Sequence, residues 1–335
     1  MNKARQSLAI LCIIFLMGTL LLACSTNKEQ TSQAPATTAA PAAEAIAEAS
    51  ATTAAALATT RSYKDYKGHT AEIPVNPQRI IYSGETYGDL IALGVQAVGY
   101  PLSMGEGQVF EDKLGGVEDV GFPINLEKTV ELQPDLIIYA GIEEADYEAL
   151  SKIAPTIIFN TFAPLKERML EIGDILGKKS EAEAWLAQYA AKEEAMWAQL
   201  KSSGMKDGET ASVFTYYPGN RLFVMAATGL SQVLYEEQGF KPTPAIQQVL
   251  DAGMGFKEIS MEVLREYAGD RIFLLTPVPE EAKQSTDKLL ESAVWTSLPA
   301  VKNGFVYTQD IMKTSSDATT REWLLGEIPA MLGKQ

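Results

Sequence analysis

The chain has 335 residues and a formal net charge of −15, with 28 basic against 43 acidic side chains. That acidic balance, with no basic stripe, argues against nucleic acid as a partner and for a soluble surface that an anionic membrane repels. Two cysteines and one histidine, His69, exclude a zinc site of the usual His/Cys kind.

Residues 1–23 read as a secretory signal. Lys3 and Arg5 precede an apolar run over residues 8–23, short for a spanning helix, which needs ~20 residues. Leu21 and the small Ala23 then lead into Cys24, an arrangement that resembles the lipobox of bacterial lipoproteins although Leu22 is bulkier than usual there. The resemblance implies diacylglycerol on the Cys24 thiol and cleavage before it, so that Cys12 leaves with the signal. The mature chain then holds no thiol pair and no disulfide, which suits an oxidising exported compartment. The lipid holds the protein at the outer face of the cell membrane. Residues 24–60 form the lipidated tether. They are dominated by Ala and Thr and carry no aromatic side chain, so they cannot bury enough surface to fold alone. As a coil they reach roughly 30–36 Å.

From Tyr63 the pattern becomes that of a folded α/β protein. "GHTAEIPVNPQRIIYSG" predicts a hairpin leading into a buried strand, "GDLIALG" a helix and "VQAVGY" a strand. "NLEKTVEL" and "EADYEALSKIA" read as helices, "DLIIYAG" and "PTIIFN" as strands. Short apolar runs that alternate with helices argue a mainly parallel sheet covered on both faces. "PLKERMLEIGDILGKK" and "SEAEAWLAQYAAKEEAMWAQLKSSG" are long amphipathic helices, the second with a capping box at Ser180 and Glu183 and a stop at Gly204. Strands and helices then resume from "ASVFTYY" to "TTREWLLGEIPAML". The expected fold is α/β, two Rossmann-like lobes joined by a single long rigid helix. The first lobe is 61–165, the connecting helices 166–204 and the second lobe 205–335.

An internal echo links the lobes. "NLEKTVELQPDLIIYA" and "SMEVLREYAGDRIFLL" each open on an N-cap residue, Asn125 or Ser260. Glu127 and Glu262 follow two places on, then Glu131 and Glu266, and Asp135 and Asp270 open a strand.

Catalysis finds little support. The chain has no GxSxG, Walker A, HExxH or GxGxxG motif, and His69, in the first hairpin, has no evident nucleophile to serve. Binding fits better. Ligands of open α/β sheets sit beyond the carboxyl ends of the strands. Those ends carry residues 83–87, 101–104, 141 and 160–162 in the first lobe, and 216–217, 225–228, 276 and 309–316 in the second. The candidate ligand-binding residues are Ser83, Thr86, Tyr87, Met104, Tyr217, Arg221, Thr228 and Lys313, with Arg221 and Lys313 as donors to an anionic or carbonyl-rich ligand.

The stretches "IPVNPQRIIYSGETYGDLIALGVQAVGY", "VEDVGFPINLEKTVELQPDLIIYAG", "ALSKIAPTIIF", "VLREYAGDRIFLL" and "VWTSLPAVKNGFVY" occur in order from Tyr63 onward. Together they resemble the class III substrate-binding lipoproteins of ABC importers, receptors for ferric siderophores, haem and cobalamin. The resemblance implies two lobes with a rigid connecting helix, no enzymatic activity, no intrinsic cofactor and a monomer. It implies that Glu127 and Glu262, one per lobe, dock into arginines of the permease. It also implies a ferric siderophore as ligand, of hydroxamate or carboxylate type, with iron held by the siderophore itself. Haem, cobalamin and a sensory role on the same fold are the alternatives. Hydroxamate receptors of the family carry Trp and Arg in the turn before a second-lobe helix, where this chain has Ala226, Ala227, Thr228 and Gly229. Replacing Cys24 with Ser is expected to release the protein from the membrane fraction or leave its signal uncleaved, as read by cell fractionation and the mass of the mature chain.

Overall fold

The computed structural model describes residues 59–333. The signal, Cys24 and nearly all of the tether lie outside the described residues. The described chain opens with strands β1 (Thr60–Lys64) and β2 (Thr70–Pro74), paired antiparallel. Asp65 builds their turn. One of its carboxylate oxygens accepts from the N–H groups of Lys67, Gly68 and His69, and the other from the N–H of Ile158, so the hairpin is tied to the first sheet. His69 sits between Asp65 and Glu144 and stacks on Tyr147 with ring centroids 3.9 Å apart.

The first lobe runs through β3 (Ile80–Ser83), α1 (Gly88–Ala92), β4 (Gly99–Tyr100), β5 (Glu118–Asp119), α2 (Leu126–Glu131), β6 (Leu136–Tyr139), α3 (Glu144–Leu150) and β7 (Thr156–Ile158). Its sheet is wholly parallel in the order β5-β4-β3-β6-β7. Helices α4 (Leu165–Ile175) and α5 (Lys179–Ser202) follow. With 24 residues, α5 is about 36 Å long.

The second lobe comprises β8 (Thr210–Tyr217), β9 (Arg221–Met225), α6 (Leu230–Leu234), β10 (Lys241–Pro242), α7 (Pro244–Asp251), β11 (Phe256–Ile259), α8 (Leu264–Tyr267), β12 (Arg271–Thr276), α9 (Glu280–Glu291), α10 (Ala293–Thr296), α11 (Pro299–Lys302), β13 (Val306–Asp310) and α12 (Ala318–Leu332). The sheet order is β11-β9-β8-β12-β13, with β10 beside the start of β8. Here β9 runs antiparallel to both neighbours. The cause is local: only residues 218–220 join β8 to β9, and Gly219 and Asn220 take φ of +86° and +56°. A connection that short makes a hairpin, never a parallel crossover.

Successive strand residues face different cores. Ile80, Tyr82, Leu136 and Ile138 point one way, and Ile81, Ile137 and Tyr139 the other. In the second lobe Val213, Phe273 and Leu275 oppose Phe214, Ile272 and Leu274. The inner faces of both sheets share one core through α4, α5 and α12, with Met169, Trp197 and Leu324 among its members. Burial on both faces explains why these strands read as unbroken apolar runs.

Two local expectations change. Ser180 does not cap α5. The helix begins at Lys179, after a turn in which Gly177 takes φ of +68°, so Ser180 is already helical. Its hydroxyl donates to Glu181 at 2.8 Å. The echo holds at its aspartates and diverges at its caps. Asp135 accepts from the N–H groups of Gln78 and Arg79 ahead of β3, and Asp270 from the N–H of Thr210 at the start of β8. Asn125 caps α2 by accepting from Lys128 N–H at 3.1 Å. Ser260 opens a short 3₁₀ turn without a side-chain cap, and its hydroxyl bonds Glu262 instead.

The lobes are also clasped at α12. Arg168 on α4 and Asp89 on α1 are fully buried and paired at 2.6 Å. Arg168 donates further to the carbonyl of Ser316, and Asp89 accepts from Ala318 N–H, both at the start of α12. Replacing Arg168 with Met leaves a buried carboxylate without its cation. The expected cost is about 3–5 kcal/mol of folding stability, measured by urea unfolding.

Candidate functional site

A cavity of about 370 Å³ opens beyond the carboxyl ends of the strands, between the lobes. The first lobe contributes Glu85, just after β3, and Gln108, in the loop after β4. The second contributes Tyr216 and Tyr217 from the end of β8, Pro277, Val278 and Pro279 after β12, and residues 311–312 and 314–316 after β13. Met225, Thr228, Gly229 and Leu275 complete the wall. Most of this surface is apolar. The polar groups are hydroxyls, one amide and one carboxylate.

The sequence places these groups through a few tight contacts. Gly229 has φ of +56°, and a Cβ there would fall 2.3 Å from the carbonyl oxygen of Thr314. Its N–H donates to the Ser316 hydroxyl at 3.0 Å. Glycine thus lets the turn before α6 lie directly against the loop after β13, with no space there for a bulky side chain. Glu85 is oriented by the Thr161 hydroxyl, which donates to Oε1 at 2.9 Å. Asp317, buried behind the wall, caps α12 by accepting from Thr320 N–H. Burial pushes its carboxyl above the usual range, and the nearby Asp89 adds to the shift.

Of the residues expected to bind ligand, Tyr217 and Thr228 line the cavity. Lys313 lies at its edge, where its ammonium donates to the Gln108 carbonyl at 3.2 Å and bridges the lobes. Ser83 and Thr86 are buried and are not among the residues of the cavity wall, and the Thr86 hydroxyl is bonded to Tyr82 at 2.6 Å. Met104 is half-buried against the first-lobe core. Tyr87 requires correction, and Arg221 lies outside the wall. Tyr87 is fully buried, packs on Tyr100 at 4.5 Å, and its hydroxyl accepts from Ala97 N–H. Arg221 starts the antiparallel β9, points to solvent over Phe223 and pairs with Glu258 at 2.8 Å. The hairpin at residues 218–220 sets it directly across from Tyr217, but it is not among the residues of the cavity wall. Gln108, Leu275 and residues 277–279 were missed. The signal for the last group was present, because "TPVP" directly follows the strand "DRIFLL".

Glu127 and Glu262 are both exposed near the start of a short helical element. The Ser260 hydroxyl holds the Glu262 carboxyl below its usual range. Among the described residues no group of three or more His, Cys, Asp or Glu is placed to hold a bare metal ion. His69 lies in the hairpin turn, bonded to Asp65 and Glu144 and not in the cavity wall. The cavity's own groups suit hydrogen bonding and packing against an organic ligand.

Residues 117–310 match the family model described as periplasmic binding protein. The chain is 34% identical over 258 residues to the iron(3+)-hydroxamate-binding protein YxeB of Bacillus subtilis, covering 75% of this chain and 78% of that one. It is 25% identical to the probable siderophore-binding lipoprotein YfiY of Bacillus subtilis, across 94% of this chain and 95% of that one. Among solved structures, Staphylococcus aureus SirA complexed with staphyloferrin B matches with a TM-score of 0.72 and 26% identity, over 82% of this chain and 99% of that one.

The placements of Tyr87 and Arg221 predict opposite outcomes. Tyr87→Phe leaves the buried Ala97 N–H unpaired and is expected to cost about 1–3 kcal/mol in urea unfolding. Arg221→Ala removes an exposed pair and is expected to leave thermal unfolding nearly unchanged.

Proposed function

Because this chain belongs to the periplasmic binding protein family, we propose that it captures a ferric siderophore of hydroxamate type between its lobes and delivers it to an ABC-type permease. The observation that carries the reading is the interlobe cavity, apolar on most of its wall and set with hydroxyl, amide and carboxylate groups. Those groups bind the organic periphery of a chelate, and the siderophore itself supplies the ligands to iron. The relative named for iron(3+)-hydroxamate binding shares about three-quarters of its length with this chain. The same wall disfavours a carboxylate siderophore, because none of its described residues is Arg or Lys.

The protein works at the outer face of the membrane, held by a lipid on Cys24. A relative that spans nearly the whole chain is named a lipoprotein, which supports that reading. Glu127 and Glu262 are the docking pair. Each is exposed near the start of its helical element, and the lobes that carry them are joined through a shared core. Two weak contacts on one body reinforce each other, because the second forms at high effective concentration.

Purified mature protein is titrated with ferric trihydroxamates, haemin and cyanocobalamin while Trp and Tyr fluorescence is followed. Saturable quenching by a ferric trihydroxamate is expected. Saturation by haemin or cyanocobalamin alone would overturn the reading. For docking, the double change Glu127→Ala with Glu262→Ala is expected to reduce radiolabelled iron uptake strongly and each single change less, with ligand affinity unmoved.

A further inference from the structure

The cavity has an uneven charge. Among its described lining residues Glu85 is the one formally charged side chain. Of the basic groups nearby, Arg168 is buried against Asp89, Arg221 pairs with Glu258, and Lys313, at the cavity's edge, holds its ammonium on the Gln108 carbonyl and keeps its charge there. No Lys, Arg or His forms an ion pair with Glu85 among the described residues. The Thr161 hydroxyl holds its Oε1, which orients the carboxylate without neutralising it.

The chemistry of the ligand then matters. In a ferric trihydroxamate the three deprotonated hydroxamates cancel the charge of the iron, so the core is neutral. Any net charge sits on the periphery. A carboxylate held in a partly enclosed, largely apolar cavity attracts an ammonium more strongly than it would in water. It also raises the cost of bringing in an anionic periphery.

We propose that Glu85 is a specificity-determining residue, which makes the cavity select ferric trihydroxamates bearing a peripheral ammonium group over neutral ones. This rests on the ferric-hydroxamate reading of the same cavity. Glu85 receives the ammonium from the first-lobe side, while the iron-bearing core packs on the apolar second-lobe wall at Tyr217, Val278 and Met312.

The test uses a linear ferric trihydroxamate ending in a primary amine, and its N-acetyl derivative, which lacks the charge. Both are titrated into mature wild-type protein and into Glu85→Gln. The amide keeps an oxygen to accept from Thr161, and thermal unfolding of the variant checks that it folds. The wild type is expected to bind the amine form roughly tenfold more tightly. That ratio is expected to shrink as salt is raised and to fall close to one in Glu85→Gln. Equal wild-type affinities would overturn the proposal and leave the ferric-hydroxamate reading standing. A ratio that persists unchanged in Glu85→Gln would do the same, since the acetyl group's bulk would then be its source. Binding of neither form would overturn both.

Discussion

The position of the cavity depends on one buried ion pair. Asp89 and Arg168 are both fully excluded from solvent, a placement that costs several kcal/mol per charge unless each group is fully bonded. Each is. All five N–H donors of Arg168 meet an acceptor: the two oxygens of Asp89 and the carbonyls of Thr161, Ala163 and Ser316. Asp89 accepts in addition from Ala318 N–H. The pair therefore joins α1 of the first lobe and the connecting helix α4 to the point where the second-lobe chain turns into α12. That turn carries Ser315 and Ser316 of the cavity wall. Gly88 permits the approach, because a Cβ there would lie 1.7 Å from an oxygen of Asp317.

A second buried arginine extends the same logic. Arg321 on α12 bonds Tyr189 of α5, Gln232 and Glu236. Helix α12 is thus held to the first lobe at its start and to the connecting helix one turn later. The long helix α5 between the lobes packs with α4 and α12 into one layer that shares the inner apolar core of both lobes. A cleft built on such a layer is set largely before its ligand arrives.

Much of the fold was legible because the dominant signals are local. The apolar runs at residues 80–82, 136–139 and 272–275 are short and buried on both faces, the mark of central strands. The repeated aspartates Asp135 and Asp270 do the same work in each lobe, fastening the start of the neighbouring strand. What escaped was set by turns and by distance in the chain. The antiparallel course of β9 follows from a three-residue connection whose effect on Arg221 is invisible in composition. The capping role assigned to Ser180 failed because the preceding glycine turn starts α5 early.

The site was legible as a region and less so as residues. Of the strand-end residues named from sequence, Tyr217, Thr228 and part of the loop after β13 line the cavity. Within the five residues after β3, however, sequence cannot tell which side chain turns inward. Tyr87 enters the aromatic core with Tyr82, Tyr100 and Phe110, while Glu85 two places earlier faces the cavity. Gln108 was beyond reach, since its place depends on a bridge to Lys313 from 205 residues away. The most direct measurement is diffraction from crystals grown with a ferric trihydroxamate, collected at the iron absorption edge. The account predicts one anomalous peak inside the cavity, between Glu85 and Gln108 on one side and Tyr217 and Thr228 on the other. A bound iron complex elsewhere on the protein, with this cavity empty, would contradict it.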